Sequence, residues 1–90
     1  MIEQRIEVTN RLGLHARAAS KLVRVLSGYS AHAWLSNGSR EITAKSIMGV
    51  MLLAAAQGTT LSLRLDGEDE LQALAAVTDL FERRFDEDGE

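Results

Sequence analysis

The chain has 90 residues, no cysteine, no proline and a formal net charge of −3. This length suffices for one small domain with a single core, so we treat residues 1–90 as one domain. The absence of cysteine excludes a disulfide framework, a thiolate metal site and a dithiol redox pair. No apolar run approaches the ~18 residues that a membrane span needs, and no signal peptide is evident. We therefore expect a soluble, cytoplasmic protein without direct membrane insertion.

The charge is distributed unevenly along the chain. Residues 1–45 contain seven basic and three acidic residues, for a net +4, whereas residues 46–90 contain three basic and ten acidic residues, for a net −7. The basic half has a cluster around His15, formed by Arg11, Arg17, Lys21 and Arg24. This cluster suggests an acidic partner surface, although Lys21 and Arg24 alone are explained as well by solvation of an outer helix face. Aromatic content of 4% without a long basic stripe argues against nucleic-acid binding.

The first two elements are predicted from their apolar periodicity. Residues 2–8 alternate, with Ile2, Gln4, Ile6 and Val8 on one face, which predicts a half-buried strand. A helix is predicted from residue 15 or 16 to about residue 27, with Gly28 as a natural stop. Its apolar face contains Ala18, Ala19, Leu22, Val23 and Leu26.

The histidine at the start of this helix is the first candidate functional residue. His15 is a poor N-cap compared with Ser, Thr, Asp or Asn, so local stability does not explain it. A helix N-terminus offers unpaired N–H groups and a positive potential that bind phosphate, and the same potential favours the neutral, nucleophilic imidazole. With Arg17 two residues later, His15 is a candidate phosphohistidine. The alternative is a surface histidine that is merely tolerated after the Gly13-Leu14 turn.

The next segment is predicted to form a β-hairpin. Residues 31–36 and 39–44 flank Asn37-Gly38, a dipeptide that favours a type I′ turn. Such a turn sets Ala33 opposite Ile42. Trp34 then lies on the face away from the core, where an uncovered sheet commonly exposes such a residue.

A second helix is predicted to follow, with Ser46 as N-cap and Gly58 as its end. Its first residues, 47–53, are apolar on all sides, and a surface helix in so small a domain cannot bury every side. We interpret Ile47, Met48 and Met51 as a candidate docking patch, while for each of them a place in the core is equally plausible.

The last third predicts a strand, a helix and a tail. Leu61, Leu63 and Leu65 alternate with polar residues as a fourth strand. A third helix follows a turn at Asp66-Gly67, and the acidic tail at 86–90 has nothing to bury and should be mobile. The order βαββαβα predicts a two-layer α+β domain with helices on one face of an antiparallel sheet, without deciding the strand order. The apolar stripe of the third helix contains Leu71, Leu74, Val77, Phe81 and Phe85.

Two separated motifs carry a family resemblance. Asn10 with residues 12–17 (LGLHAR), together with residues 44–51 (AKSIMGVM), resembles the histidine-containing phosphocarrier proteins, HPr, of the bacterial phosphoenolpyruvate:sugar phosphotransferase system. Length and element order match over nearly the whole chain. The resemblance implies an open-faced β-sandwich with sheet order 1-4-2-3 and three helices on one side. The sequence departs from the usual family pattern at Ala18, where proline is common. This difference affects the geometry of the first helical turn and leaves the nucleophile in place.

The resemblance also implies roles for individual residues. His15 would be phosphorylated on Nδ1 by enzyme I and would pass the group to the A component of a sugar permease, and Arg17 would hold the phosphoryl group. Ser46 would be the regulatory site of an HPr kinase/phosphorylase. The protein would act as a monomeric carrier in a transferase relay, without a cofactor, rather than as a stand-alone enzyme. The candidate docking surface consists of Ile47, Met48, Met51, Ser20, Lys21 and Arg24.

Three other functions compete with that of a sugar-system phosphocarrier. A metal site is disfavoured because the chain has two histidines, His15 and His32, and we expect no convincing carboxylate beside either. An acid–base enzyme is disfavoured by the basic surroundings of His15 and the small size of the domain. A regulatory paralogue of the nitrogen-type phosphotransferase branch would use the same phosphohistidine, although the 44–51 motif favours the sugar-system form with kinase control.

Overall fold

The structure is a computed structural model that describes residues 1–89 of the chain. Four strands and three α-helices follow one another in the predicted order, and a short segment that begins with left-handed residues, which we call the C-terminal turn, follows the last helix. The elements are β1 (Ile2–Glu7), α1 (Ala16–Leu26), β2 (His32–Ser36), β3 (Glu41–Thr43), α2 (Ile47–Leu52), β4 (Thr60–Asp66), α3 (Glu70–Glu82) and the C-terminal turn (Arg84–Gly89).

The four strands form one antiparallel sheet in the order β1-β4-β2-β3. The central strand β4 pairs with β1 through Gln4 and Leu63 and with β2 through Leu35 and Leu63. This order requires a crossover after β1, which the α1 connection provides. The strand order that the resemblance implied, 1-4-2-3, is confirmed.

The core lies between the sheet and the helices. Alternate residues of β2 and β4 are buried, as the period of two requires, while Trp34 lies half-buried on the open face, 4.6 Å from the guanidinium carbon of Arg64. Burial of each Leu or Val side chain stabilises the fold by about 1.5–3 kcal/mol relative to exposure. The largest fully buried side chains are Leu22, Leu26, Leu35, Leu61, Leu63, Leu65, Leu80, Val8, Val50, Val77 and Asn10.

The hairpin register differs from the sequence prediction. Ile42 pairs with Leu35 rather than with Ala33. The Asn37 side chain accepts hydrogen bonds from the backbone of Ser39 and Arg40 at 2.9 and 2.8 Å, and the Asn37 N–H donates to the Arg40 carbonyl at 3.1 Å. Because this Asx-type turn makes Asn37 and Arg40 the closing pair, every pairing moves by two positions, and the faces of the strands are unchanged.

Helix α2 is shorter than predicted. It ends at Leu52, and Ala54 has a positive φ of 49°, a conformation that cannot continue a right-handed helix. The Leu53 N–H donates to Val50 at 3.2 Å and the Ala54 N–H to Met51 at 3.0 Å, which tightens the last turn. Gly58 therefore precedes β4 instead of closing the helix.

The stripe of α3 also differs from its prediction. Leu71 is 69% exposed, because the inward positions of α3 are Ala73, Val77, Leu80 and Phe81, and a residue two positions from Ala73 lies on the opposite side of the helix. Leu74 is half-buried against the core.

The C-terminal turn includes residues 86–89 of the segment that was predicted as a mobile tail. Asp86 and Glu87 belong to this turn, and Phe85 just before them is buried in the core, 4.8 Å from Phe81 between ring centroids. The buried phenylalanine gives these two residues a defined place in the structure, and the mobility of the tail stays a prediction. Glu90, the last residue of the predicted tail, lies outside the described residues. Among residues 1–89 no helix is long and apolar enough to cross a bilayer.

Candidate functional site

The loop between β1 and α1 is held by backbone hydrogen bonds to the segment after α2. The Leu14 N–H donates to the Ala55 carbonyl at 2.9 Å. Gly13 has φ of +69°, and a Cβ at this position would lie 2.4 Å from the Ala55 oxygen. The sequence LGLH therefore needs glycine both for the left-handed backbone and for the close approach. This contact determines where the next residues, His15 and α1, begin.

His15 is the N-cap of α1. Its backbone is extended (φ −75°, ψ −179°), and its carbonyl accepts the first helical hydrogen bond from Ala19 at 2.8 Å. The ring Nδ1 accepts from the Arg17 N–H at 3.3 Å. Thus an imidazole nitrogen takes the place of the usual capping oxygen, and Nδ1 directs its lone pair towards the N-terminus of the helix.

A carboxylate lies on the other side of the ring. Glu87 Oε2 is 3.6 Å from His15 Nε2, and the Glu87 side chain is 9% exposed. It accepts hydrogen bonds from Asn10 Nδ2 at 2.9 Å, from the Arg11 N–H at 2.9 Å and from the Leu12 N–H at 3.1 Å. The bond from Asn10, followed by those from Leu12 and Arg11 and the proximity of His15, lowers the pKa of the Glu87 carboxyl below its ordinary value. Glu87 is therefore an ionised carboxylate beside the ring.

The prediction that no convincing carboxylate lies beside either histidine is wrong for His15. Glu87 lies 77 positions from Asn10, its hydrogen-bond partner, and no local pattern connects the two. The position of Phe85 in the apolar stripe was the one available signal, because its burial brings the following residues to the site. Within the described residues, no group of three or more His, Asp or Glu side chains could hold a metal ion.

Only part of the predicted basic cluster lies near the ring of His15. Arg11 and Arg17 line the same cleft as His15, a volume of about 510 Å³ that Glu87 also borders. Lys21 instead binds the C-terminal turn, with Nζ 2.9 Å from the Phe85 carbonyl oxygen and 3.9 Å from Asp86. Arg24 lies in the last turn of α1, away from the N-terminus that presents His15, and Ser20 is half-buried on the same helix.

These features match a known family. The family model described as "PTS HPr component phosphorylation site" matches residues 2–83. The chain belongs to the HPr family, the phosphocarrier proteins of the phosphotransferase system. It is 57% identical over 88 residues to the phosphocarrier protein HPr of Xylella fastidiosa, covering 98% of this chain and 99% of that protein.

The chain is also similar to a protein named NPr and to a solved HPr structure. Phosphocarrier protein NPr of Escherichia coli is 40% identical over 88 residues, which cover 97% of this chain and 98% of that protein. The crystal structure of HPr-C-His from Thermoanaerobacter tengcongensis aligns with a TM-score of 0.92 at 41% identity, covering 97% of this chain and 98% of that chain. The predicted open-faced HPr fold is therefore confirmed.

The second HPr motif forms the start of α2. Ser46 is its N-cap, and the Ser46 Oγ accepts from the Gly49 N–H at 3.0 Å, as expected for such a cap. Ile47, Met48 and Met51 are 41%, 77% and 42% exposed, so all three side chains lie on the surface and not in the core. Leu52 and Leu12 are also exposed apolar residues, at 58% each. Neither was predicted to belong to the docking patch.

Proposed function

We propose that this protein accepts a phosphoryl group from phospho-enzyme I on His15 and passes it to the A component of a sugar permease. The observation that carries this proposal is the ring of His15 at the N-terminus of α1, with Nδ1 facing a first-turn amide and Arg17 in the same cleft. Helix N-termini bind phosphoryl oxygens through unpaired N–H groups and the helix dipole. Membership of the HPr family supports the assignment.

We expect an in-line transfer, for which the protein mainly positions the ring and stabilises charge. The Nδ1 lone pair forms the new bond to phosphorus while the donor's bond breaks and the donor retains that electron pair. The hydrogen bond from the Arg17 N–H to Nδ1 is long, at 3.3 Å, so it is easily given up. The released amide then donates to the new phosphoryl oxygens, and the Arg17 guanidinium binds them as well. Because the site is open, the phosphoryl group is not trapped and an acceptor's pocket can complete the arrangement.

The proposed docking surface for both partners combines apolar and basic residues. Ile47, Met48 and Met51 supply exposed apolar area, and Arg24 supplies exposed positive charge on α1. Such a surface suits an acidic partner with an apolar centre. Ser20 and Lys21 complete the proposed surface, although Lys21 also holds the C-terminal turn. We propose that the carrier works as a cytoplasmic monomer, without a nucleic-acid partner and without a cofactor.

Regulation is proposed at Ser46, through an HPr kinase/phosphorylase. A phosphate on Ser46 would add close to two negative charges at the N-terminus of α2, next to Ile47 and Met48. The helix itself tolerates this charge, whereas a partner that covers the apolar residues must desolvate it. Docking would weaken while His15 stays intact.

A regulatory carrier of the nitrogen-type branch is the second candidate function, favoured by the 40% identity to a protein named NPr. It would use the same phosphohistidine with a different donor. Comparing acceptance rates from enzyme I of the sugar system and from its nitrogen-branch counterpart separates the two, because the cognate donor should react faster.

Labelling with enzyme I and radiolabelled phosphoenolpyruvate tests the proposal. We expect an acid-labile, base-stable label on the wild type and none on His15→Ala, which should keep its fold because the ring is partly exposed at a helix end. His32→Ala is the matched control, since His32 is an exposed histidine on β2. Undiminished labelling of His15→Ala, or an unlabelled wild type, would contradict the assignment.

A further inference from the structure

We propose that Glu87 is a positioning residue for the phosphorylated histidine: it holds the neutral ring of His15 in the tautomer that carries its proton on Nε2, and it stabilises the positive charge that the ring gains on phosphorylation. The first part rests on geometry alone. The second part rests on the proposed function. Nothing in the sequence near His15 indicates this role.

The two ring nitrogens of His15 face chemically opposite groups. Nδ1 accepts a hydrogen bond from the Arg17 N–H, so Nδ1 carries no proton in this arrangement. A neutral ring then has its proton on Nε2, and Nε2 faces the Glu87 carboxylate at 3.6 Å. In general, the partner of one imidazole nitrogen determines which nitrogen keeps its lone pair. Here both partners favour a free lone pair on Nδ1.

The carboxylate is held in place independently of the ring. Its two oxygens accept from the Asn10 side chain and from the backbone N–H groups of Arg11 and Leu12. These donors lower the pKa of the Glu87 carboxyl and favour its ionised form, so the negative charge beside Nε2 is present at neutral pH. A fixed charge of this kind needs no rearrangement when charge develops on the ring.

The backbone that carries Glu87 is strained. Arg84, Phe85 and Asp86 have consecutive φ values of 54°, 56° and 56°, a left-handed conformation that is unfavourable for residues with a Cβ. Such strain persists only where the surroundings impose it, and it is concentrated at functional sites. The buried Phe85 and the hydrogen bond from Lys21 to its carbonyl impose it here.

Charge balance during transfer gives Glu87 its chemical role. When Nδ1 bonds to phosphorus, Nε2 keeps its proton and the ring becomes a phosphoimidazolium with one positive charge. Arg11 and Arg17 line the same cleft and oppose that charge, whereas the Glu87 carboxylate stabilises it. In the reverse direction the protonated ring departs as neutral imidazole, a much better leaving group than imidazolate. One carboxylate therefore assists both acceptance and donation.

The test compares the wild type with Glu87→Gln and with Asp86→Asn. Glutamine keeps an oxygen for the loop amides but removes the charge, and thermal melts check that the fold is retained. Asp86→Asn removes one charge from the same turn, where the carboxylate pairs with Lys21 and Arg83 instead of His15. Nitrogen NMR of the neutral ring reports the tautomer, and quench-flow labelling with enzyme I reports transfer rates.

We expect the wild type and Asp86→Asn to carry the ring proton on Nε2. In Glu87→Gln the population with the proton on Nδ1 should rise. Transfer should slow between about 10-fold and 100-fold, the loss typical when the orienting partner of a metal-ligating histidine is removed. A wild-type ring with its proton on Nδ1 overturns the proposal without any variant. So does a folded Glu87→Gln that keeps the wild-type tautomer and rate.

Failure of the proposed function is distinguishable, because the tautomer measurement needs no phosphoryl donor. A wild type that is never labelled removes the carrier function and the catalytic half of the inference together. The same wild type with its proton on Nε2, lost in Glu87→Gln, would still establish Glu87 as the residue that orients the ring.

Discussion

Replacing Gly13 by alanine should destabilise the fold and disturb the site at the same time. Gly13 has φ of +69°, which costs a residue with a Cβ about 1–2 kcal/mol. The new Cβ would also lie 2.4 Å from the Ala55 carbonyl oxygen. That oxygen accepts the Leu14 N–H at 2.9 Å, so it cannot retreat without weakening the bond that positions the loop. Relieving such an overlap costs a further ~1–3 kcal/mol.

Gly38→Ala is the matched control for this prediction. Gly38 has φ of +95°, but a Cβ there would meet nothing within 4 Å. The control should therefore lose only the conformational part, about 1–2 kcal/mol, whereas Gly13→Ala should lose about 2–5 kcal/mol. In a domain of this size each kcal/mol lowers Tm by about 4–8 °C.

Urea unfolding of both variants, followed by the fluorescence of the single tryptophan and analysed by linear extrapolation, measures the difference. Phosphoryl acceptance from enzyme I should also fall more in Gly13→Ala, because the displaced loop carries His15. Unfolding free energies of the two variants that agree within about 0.5 kcal/mol would refute the close-contact reasoning, since that is the spread of ordinary surface substitutions.

Three further predictions concern the site and its pH dependence. Arg17→Ala should slow phosphoryl transfer while unfolding stability changes by no more than about 0.5 kcal/mol; a loss of several kcal/mol at unchanged rates in enzyme I assays would make Arg17 structural. Ser46→Asp should leave stability equal or raise it by about 0.3–1 kcal/mol, yet raise the KM of enzyme I for this protein; unchanged kinetics would reduce Ser46 to a helix cap. Acid should destabilise the fold, because backbone bonds from Ser30 and Ala31 lower the pKa of Asp69 and the bond from Asn10 lowers that of Glu87. The unfolded chain then binds more protons, so this stabilisation is complete above the ordinary pKa values of 3.8 and 4.5 and is lost as pH falls through the lower folded values. Urea midpoints between about pH 6 and about pH 2.5 should decline, less steeply in Glu87→Gln, and a flat profile would contradict the assigned shifts.

The predictions from sequence succeeded where a signal is local. Alternation in β1 and β4, the apolar face of α1 and the Ser46 cap were recognised because each depends on residues within one or two turns of one another. The motif around His15 predicted the family in the same way. The errors also have local causes: the Asn37 side chain changed the hairpin register, and the left-handed Ala54 ended α2 early.

Whether an apolar residue lies in the core or on the surface depended on more than periodicity. Residues 47–53 are apolar on all sides, so the pattern could not orient α2, and only its packing against α1 exposes Ile47, Met48 and Met51. Leu71 fits a helical stripe by spacing, but the inward side of α3 is defined by Ala73 and Val77. Orientation of a helix is a property of its neighbours, which a single segment does not encode.

By itself, the sequence determined the order of the elements, the helix start at His15, and the presence of a phosphohistidine motif, since all of these follow from residue types at short spacing. The tertiary structure alone decided that Glu87 stands beside His15. Their approach depends on the burial of Phe85 against Phe81, on a left-handed turn that no local propensity favours, and on hydrogen bonds between residues 77 positions apart. Contacts of this kind exist only once the helices and the sheet have packed, because the energy that holds the turn comes from the core and not from the turn itself.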